Sequence, residues 1–239
     1  MKQLLAIPLV CGIALSGIAF SANAFDTSDF LVHLGGDAQW RSVPLQKNFG
    51  DNLVKKDYLQ TGAYAGMRFF DDSLGFECGF QRSNSVSRQV DVSDTSSYFS
   101  NILPTGTYTS STKVWMQNIY GAVVGLLPIS EVHRIKLIGS VGAGRTRIRI
   151  SANLTTTGAG TVGAAWPLVF KSMKWVPKAN VGLQWMVSQH LGLRALAGWE
   201  QTAQFNRIRA NNADKTANAQ YFASFKNGAS CGLGLFYSF

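Results

Sequence analysis

The last stretch of the chain limits its fold more than any other feature. Read back by twos from Phe239, it shows Tyr237, Leu235, Leu233, Cys231 and Ala229. Beyond a single polar break at Asn227 come Phe225, Ala223 and Tyr221. The intervening positions include Ser238, Gly234, Gly232, Ser230, Gly228, Lys226 and Ser224. A period of two sends these sets to opposite faces of a β-strand. One face is greasy and aromatic, the other small and polar, and a water-soluble protein seldom finishes on its most apolar strand.

The beginning of the chain reads as an address. Lys2 precedes an apolar run from Leu4 to Phe20, and Ala22-Asn23-Ala24 forms a cleavage site ahead of Phe25. The run contains Pro8 and is shorter than the ~20 residues a membrane helix needs. Leu9-Val10-Cys11 misses a lipobox at Val10. We expect residues 1–24 to be a cleaved signal peptide and 25–239 to form one domain. The most apolar later stretch, Tyr120 to Ile129, is too short for a helical span and contains Pro128. An exported chain without helical spans either stays in water or crosses the membrane as a closed barrel, where every backbone polar group is paired.

Composition removes other classes. Charged residues make up 15% of the chain and aromatic residues 12%, against ~25% charged in a typical soluble domain. A disordered chain has the opposite bias. The cysteines (Cys11, Cys78, Cys231) and histidines (His33, His133, His190) are too scattered for a disulfide scaffold or a zinc site. Gly158-Ala-Gly160-Thr-Val-Gly163 has no following helix and no acidic residue about twenty positions on, so no dinucleotide site and no cofactor is expected.

A final strand that closes on Tyr-Ser-Phe, with Leu233, Leu235, Tyr237 and Phe239 on one face, resembles the C-terminal signature of bacterial outer-membrane β-barrels. Small members such as the opacity proteins and the transmembrane domain of the outer-membrane protein A type are most similar. The resemblance implies a Gram-negative outer-membrane location and recognition of that strand by the barrel-assembly machinery. A separate peptidoglycan-binding domain of that type is not expected.

Alternation and turn chemistry predict strands near Ser28–Ser42, Asp57–Phe70, Leu74 toward Val90, Lys113–Leu127, Arg134–Ile150, Trp175–Val187, Leu191–Phe205 and Ala219–Phe239. The fold class is therefore all-β, an antiparallel up-and-down transmembrane barrel of eight strands. Ten strands is the alternative if residues 91–112 or 151–174 hide a hairpin. Connections 71–73, 128–133 and 188–190 are short, while 43–56, 91–112, 151–174 and 206–218 are long. Short periplasmic turns and long outer loops fit this architecture.

An eight-stranded lumen is filled by side chains, and its polar groups must pair. Arg68, Glu77, Arg194, Glu200, Asp37 and Arg41 fall on the inward parity and are expected to form a structural network. The alternative is a gated pore for small solutes. Arg145, Arg147, Arg149, Lys171, Lys174, Arg207 and Arg209 fall toward the outer side, with Lys55, Lys56 and Lys178 near them. Guanidinium groups bind phosphate well, so these residues are expected to form a rim contacting lipopolysaccharide. Nucleic acid is not a partner there. The facing of the fourth and fifth strands is ambiguous. Ile135 and Leu137 share parity with Arg145, Arg147 and Arg149, which requires either a bulge or a change of surroundings along the strand.

The function expected is structural or adhesion-like, with loops that meet host or environmental ligands. The resembled family also contains lipid A-modifying enzymes and surface proteases that use histidine. Here His133 and His190 fall in periplasmic turns and His33 in the lumen, so no catalytic residue is assigned. Cys78 and Cys231 are expected on the lipid face, unbridged.

Overall fold

The computed structural model describes residues 30–46, 56–70, 72–92, 108–156, 165–205, 208–212 and 222–239. The leader 1–24 and the glycine-rich segment 158–163 lie outside them. The strands are β1 (Phe30–Ser42), β2 (Leu45–Gln46), β3 (Asp57–Phe69), β4 (Leu74–Ser83), β5 (Val86–Val92), β6 (Tyr108–Ser130), β7 (Ile135–Thr156), β8 (Ala165–Met186), β9 (Leu191–Glu200), β10 (Ile208–Asn212), β11 (Phe222–Phe225) and β12 (Gly228–Ser238).

Eight of these close a ring. Going round, β1 pairs with β3, then β4, β6, β7, β8, β9 and β12, which returns to β1; every pairing is antiparallel. Closure leaves no edge within the ring. The connections 70–73, 131–134 and 187–190 are tight. Phe70, Asp72 and Arg134 take positive φ of 53°, 62° and 52° in the first two.

At the opposite end the barrel continues as an outer tier. β5 follows β4 along β6, β10 pairs with β8 beyond the end of β9, and β11 bridges β10 and β2. The breaks are stitched by backbone bonds. Asn84 N–H donates to Leu59 O at 3.0 Å, Val43 N–H to Lys56 O at 2.9 Å, and Lys226 N–H to Pro44 O at 2.8 Å. One break corrects the sequence reading. Ala219–Phe239 is not a single strand; the interruption at Lys226-Asn227 turns Phe225 inward, where it is buried against Phe205, while Ala229 faces out.

β6, β7 and β8 have 23, 22 and 22 residues. At ~3.3 Å per residue and a tilt near 40°, such strands are roughly twice as tall as the ~25 Å apolar band of a membrane barrel. They traverse two environments, and β7 records the transition. Near the tight turns, Leu137 and Val141 point outward and are exposed, Val141 by 69%. Farther along, Arg145, Arg147 and Arg149 hold the same outward parity, while Ile148 and Ile150 point inward and are fully buried. The register with β6 and β8 is unbroken from 137 to 155, and the irregularity lies at Pro128/Ser130. No bulge separates Leu137 from Arg145. The surroundings change instead, from hydrocarbon to water, and the apolar residues cross from the outside of the strand to its inside.

Candidate functional site: a packed lumen beneath a basic collar

The ring brings the inward polar residues together in two connected groups. In the first, Glu77 accepts from Arg68 Nη2 at 2.7 Å and from Arg194 Nη1 at 2.8 Å, with His33 Nε2 at 3.3 Å. Arg194 Nη2 also lies 3.4 Å from Asp37 Oδ2. In the second, Glu200 takes both Arg41 and, at 2.7 Å, Lys178. Gln81 links them, donating to Asp37 at 3.2 Å and accepting from Lys178 at 3.0 Å. All six expected network residues are buried. The pairing runs between strands and not along single ones: Arg194 crosses the lumen to Glu77, Arg68–Glu77 and Lys178–Glu200 join neighbouring strands, and Arg194 does not pair with Glu200, nor Asp37 with Arg41. Sequence reading placed His33 and Lys178 inward without assigning them to this network, because their partners stand on other strands.

Aromatic rings fill what remains. The Arg194 guanidinium lies 3.4 Å from the Tyr64 ring centroid, and Lys178 Nζ lies 5.2 Å from that of Tyr120. Each ring has a glycine opposite it. Gly35 is the register partner of Tyr64, Gly79 of Tyr120 and Gly192 of Phe236. A Cβ at any of the three glycines would overlap the facing ring. The cavity among Gln39, Glu77, Tyr120, Lys178 and Arg194 measures ≈ 20 Å³, room for about one water.

Above the polar layers the interior turns apolar. Val43, Tyr58, Val114, Met116, Ile148, Ile150, Phe170, Val176, Phe205 and Phe225 are all buried. Tyr58 donates its hydroxyl to Met116 Sδ at 2.6 Å, and the Phe205 and Phe225 rings meet edge to face at 6.4 Å. The outer tier is thus built like a water-soluble β-protein, with its grease inside. At the turn end the lumen opens into a shallow vestibule of ≈ 340 Å³ lined by His33, Arg68, Asp72, Arg134, Lys136 and others.

Outside, the apolar band is flanked by aromatic residues. Trp40, Trp175 and Trp199 stand toward the outer tier; Phe70, Phe76, Trp185, Tyr237 and Phe239 stand toward the turns, and all are exposed. Leu233 and Leu235 lie on the same outward row as Tyr237 and Phe239. Cys78 and Cys231 also face outward, on β4 and β12. Because β1 and β3 lie between those strands, the two are beyond disulfide reach.

Directly above Trp175 the outer wall becomes basic. Across the strands, Ile119, Arg145 and Trp175 form one row, Arg82, Gln117, Arg147 and Met173 the next, and Trp115, Arg149 and Lys171 the one above. Arg82 and Arg147 each hold their guanidinium 5.7 Å from the Trp115 ring centroid. Arg82 was missed as a rim residue because a single cation on its strand gives no local signal. One expectation is corrected: Lys174 has the inward parity and donates to Gln204 O, because its strand neighbours Met173 and Trp175 take the outward positions. Lys178 belongs to the lumen. Arg207 and the side chain of Arg209 lie outside the described residues.

No protein-family model and no curated protein matches the chain. Among solved structures it is similar in fold to Ail of Yersinia pestis, with 11% identity over 88% of this chain and 99% of that one and a TM-score of 0.43. Neisserial surface protein A gives 11% identity, 88% and 97% coverage and a TM-score of 0.47. The outer membrane protein OprG of Pseudomonas aeruginosa gives 14%, 88%, 96% and 0.45.

Proposed function

We propose that this outer-membrane β-barrel is a closed surface protein with a structural or adhesion-like role. The observation that carries the reading is the double closure of its interior. A cross-lumen ion network blocks the membrane level, and the apolar cluster around Met116, Phe205 and Phe225 blocks the outer tier. A solute path would have to break both.

The outer tier gives the long connections a rigid base. The segments following β2, β5, β7 and β10 all leave from its end, and loops on a rigid scaffold are where binding specificity resides. A lipid-modifying or proteolytic reading would draw on histidine, yet His133 and His190 sit in the turns at the far end and His33 is inside the lumen. The outward row Leu233, Leu235, Tyr237 and Phe239 is the surface we assign to recognition by the barrel-assembly machinery.

Single-channel recording in planar bilayers tests the closed state. The folded protein is expected to insert without measurable steps at moderate voltage. Regular ohmic openings would overturn the reading in favour of a pore. Exchanging the four long connections for short turns should leave the barrel folded and abolish adherence of cells that display it. Adherence unchanged by the exchange would count against the loops.

A further inference from the structure

We infer that the basic collar formed by Arg82, Arg145, Arg147, Arg149 and Lys171 is a binding site for the phosphorylated headgroup of an outer-leaflet glycolipid. This rests on the reading of the chain as an outer-membrane barrel, but not on the closed lumen.

The five cations have no anionic protein partner among the described residues. Their register neighbours on the outer wall are Thr61, Ile119, Gln117, Trp115, Met173 and Trp175, and Arg149 and Lys171 stand beside each other. Like charges held two residues apart on one strand, ~7 Å between side chains, repel one another unless an outside anion bridges them.

The collar shares the outward parity of Val141 and Val181, which face hydrocarbon a few residues below on the same strands. A ligand that fits it lies beside the barrel at the level of Trp175, where the headgroups of the outer leaflet are, and not above the barrel mouth. Below Arg145 the outward positions Gly121, Ala143, Gly139 and Gly125 leave the wall low, and a Cβ at Gly125 or Gly139 would meet no atom within 4 Å. Acyl chains can therefore pack close beneath the bound phosphates.

At the corresponding outer ends of β1, β3, β9 and β12 the outward residues are Trp40, Leu59, Trp199 and Ala229. Among the described residues, the cations on the outward rows of the ring strands at this level cluster on the β4–β8 side, while the opposite side carries only scattered ones such as Lys56 and Lys226 at the strand ends. The Trp115 ring holds Arg82 and Arg147 from two different strands against one surface, and paired guanidinium forks suit the geometry of phosphate oxygens.

The test uses the full processed barrel in detergent micelles, titrated with bis-phosphorylated lipid A and with the same lipid after phosphatase treatment. Wild-type protein should bind the phosphorylated form about tenfold or more tightly. The R82Q/R145Q/R147Q/R149Q variant, with folding verified by heat-modifiable migration, should lose that preference. K226Q, a cation of the opposite side, should keep it. If the quadruple variant does not fold, R147Q alone and the salt dependence of the wild-type preference carry the test. A wild-type protein that ignores the phosphates, or a folded variant that retains the preference, overturns the proposal. So does a collar variant that loses only soluble sulfated polysaccharide and binds lipid A as before.

Discussion

Arg194 on β9 and Glu77 on β4 stand on opposite sides of the ring, four strands apart in either direction, and meet at 2.8 Å across the lumen. Glu77 also carries Arg68 and touches His33, so one carboxylate neutralises cations from two other strands and meets an imidazole from a third. Burial makes the arrangement sensitive, because the loss of one member leaves the others charged and unsolvated.

Glu77→Ala is therefore expected to destabilise the barrel by about 3–5 kcal/mol, read as a lower urea midpoint for the loss of heat-modifiable migration. Replacing Glu77 and Arg194 together with apolar residues of similar size should cost less than the two single changes summed. Additive costs would mean that the pair acts independently.

The glycines facing rings give a second expectation. Gly79 sits opposite Tyr120, and a β-branched side chain there has to displace the ring. Gly79→Val should cost about 1–3 kcal/mol by overpacking, although valine is the better strand former. Gly125→Val, on the open outer face of β6, should be neutral or mildly favourable in the same assay.

The outer cluster should be separable from the membrane barrel. Phe205→Ala and Phe225→Ala each remove a buried ring, a change that costs about 3–5 kcal/mol in a packed core. The expected result is protease cleavage at the outer tier of intact cells with unchanged heat-modifiable migration and no conductance, since the ion network beneath still fills the lumen. Loss of the whole barrel would show that the tiers fold as one unit.

Much of this was legible in the chain. β1, β3, β4, β9, β12 and the part of β8 from Trp175 onward alternate cleanly enough for their inward and outward sets to follow from period two, whereas the outer part of β8, with Phe170 and Lys174 inward, was read as a connection. β6 and β7 did not yield to that rule. From Ile119 to Leu127 both parities of β6 are apolar, since Tyr120, Val124 and Leu126 fill the lumen while Ile119, Val123 and Leu127 face lipid. Along β7 the apolar parity switches near Gly144, because the strand leaves one solvent for another. Alternation reports only the contrast between the two sides of a strand; which side is wet depends on height, and height is not a local property of sequence. The cross-lumen partners were hidden for a related reason, as pairing four strands apart depends on closure and stagger.

The same switch predicts opposite outcomes for two changes on one face of one strand. Val141→Arg places a charge in hydrocarbon and should cost about 2–4 kcal/mol. Arg147→Val, six residues on, should cost under about 1 kcal/mol, the worth of an exposed contact with Trp115. Equal costs would place both residues in one environment.

The most direct measurement is a cysteine scan of the outward face of β7, at Leu137, Gly139, Val141, Ala143, Arg145, Arg147, Arg149 and Ser151, with Cys78 and Cys231 replaced by serine. Whole cells are treated with a membrane-impermeant maleimide. Protection from Leu137 through Ala143, followed by labelling from Arg147 onward, is the predicted result. Uniform labelling, or protection that extends through Ser151, would contradict a strand that passes from lipid into water at the arginines.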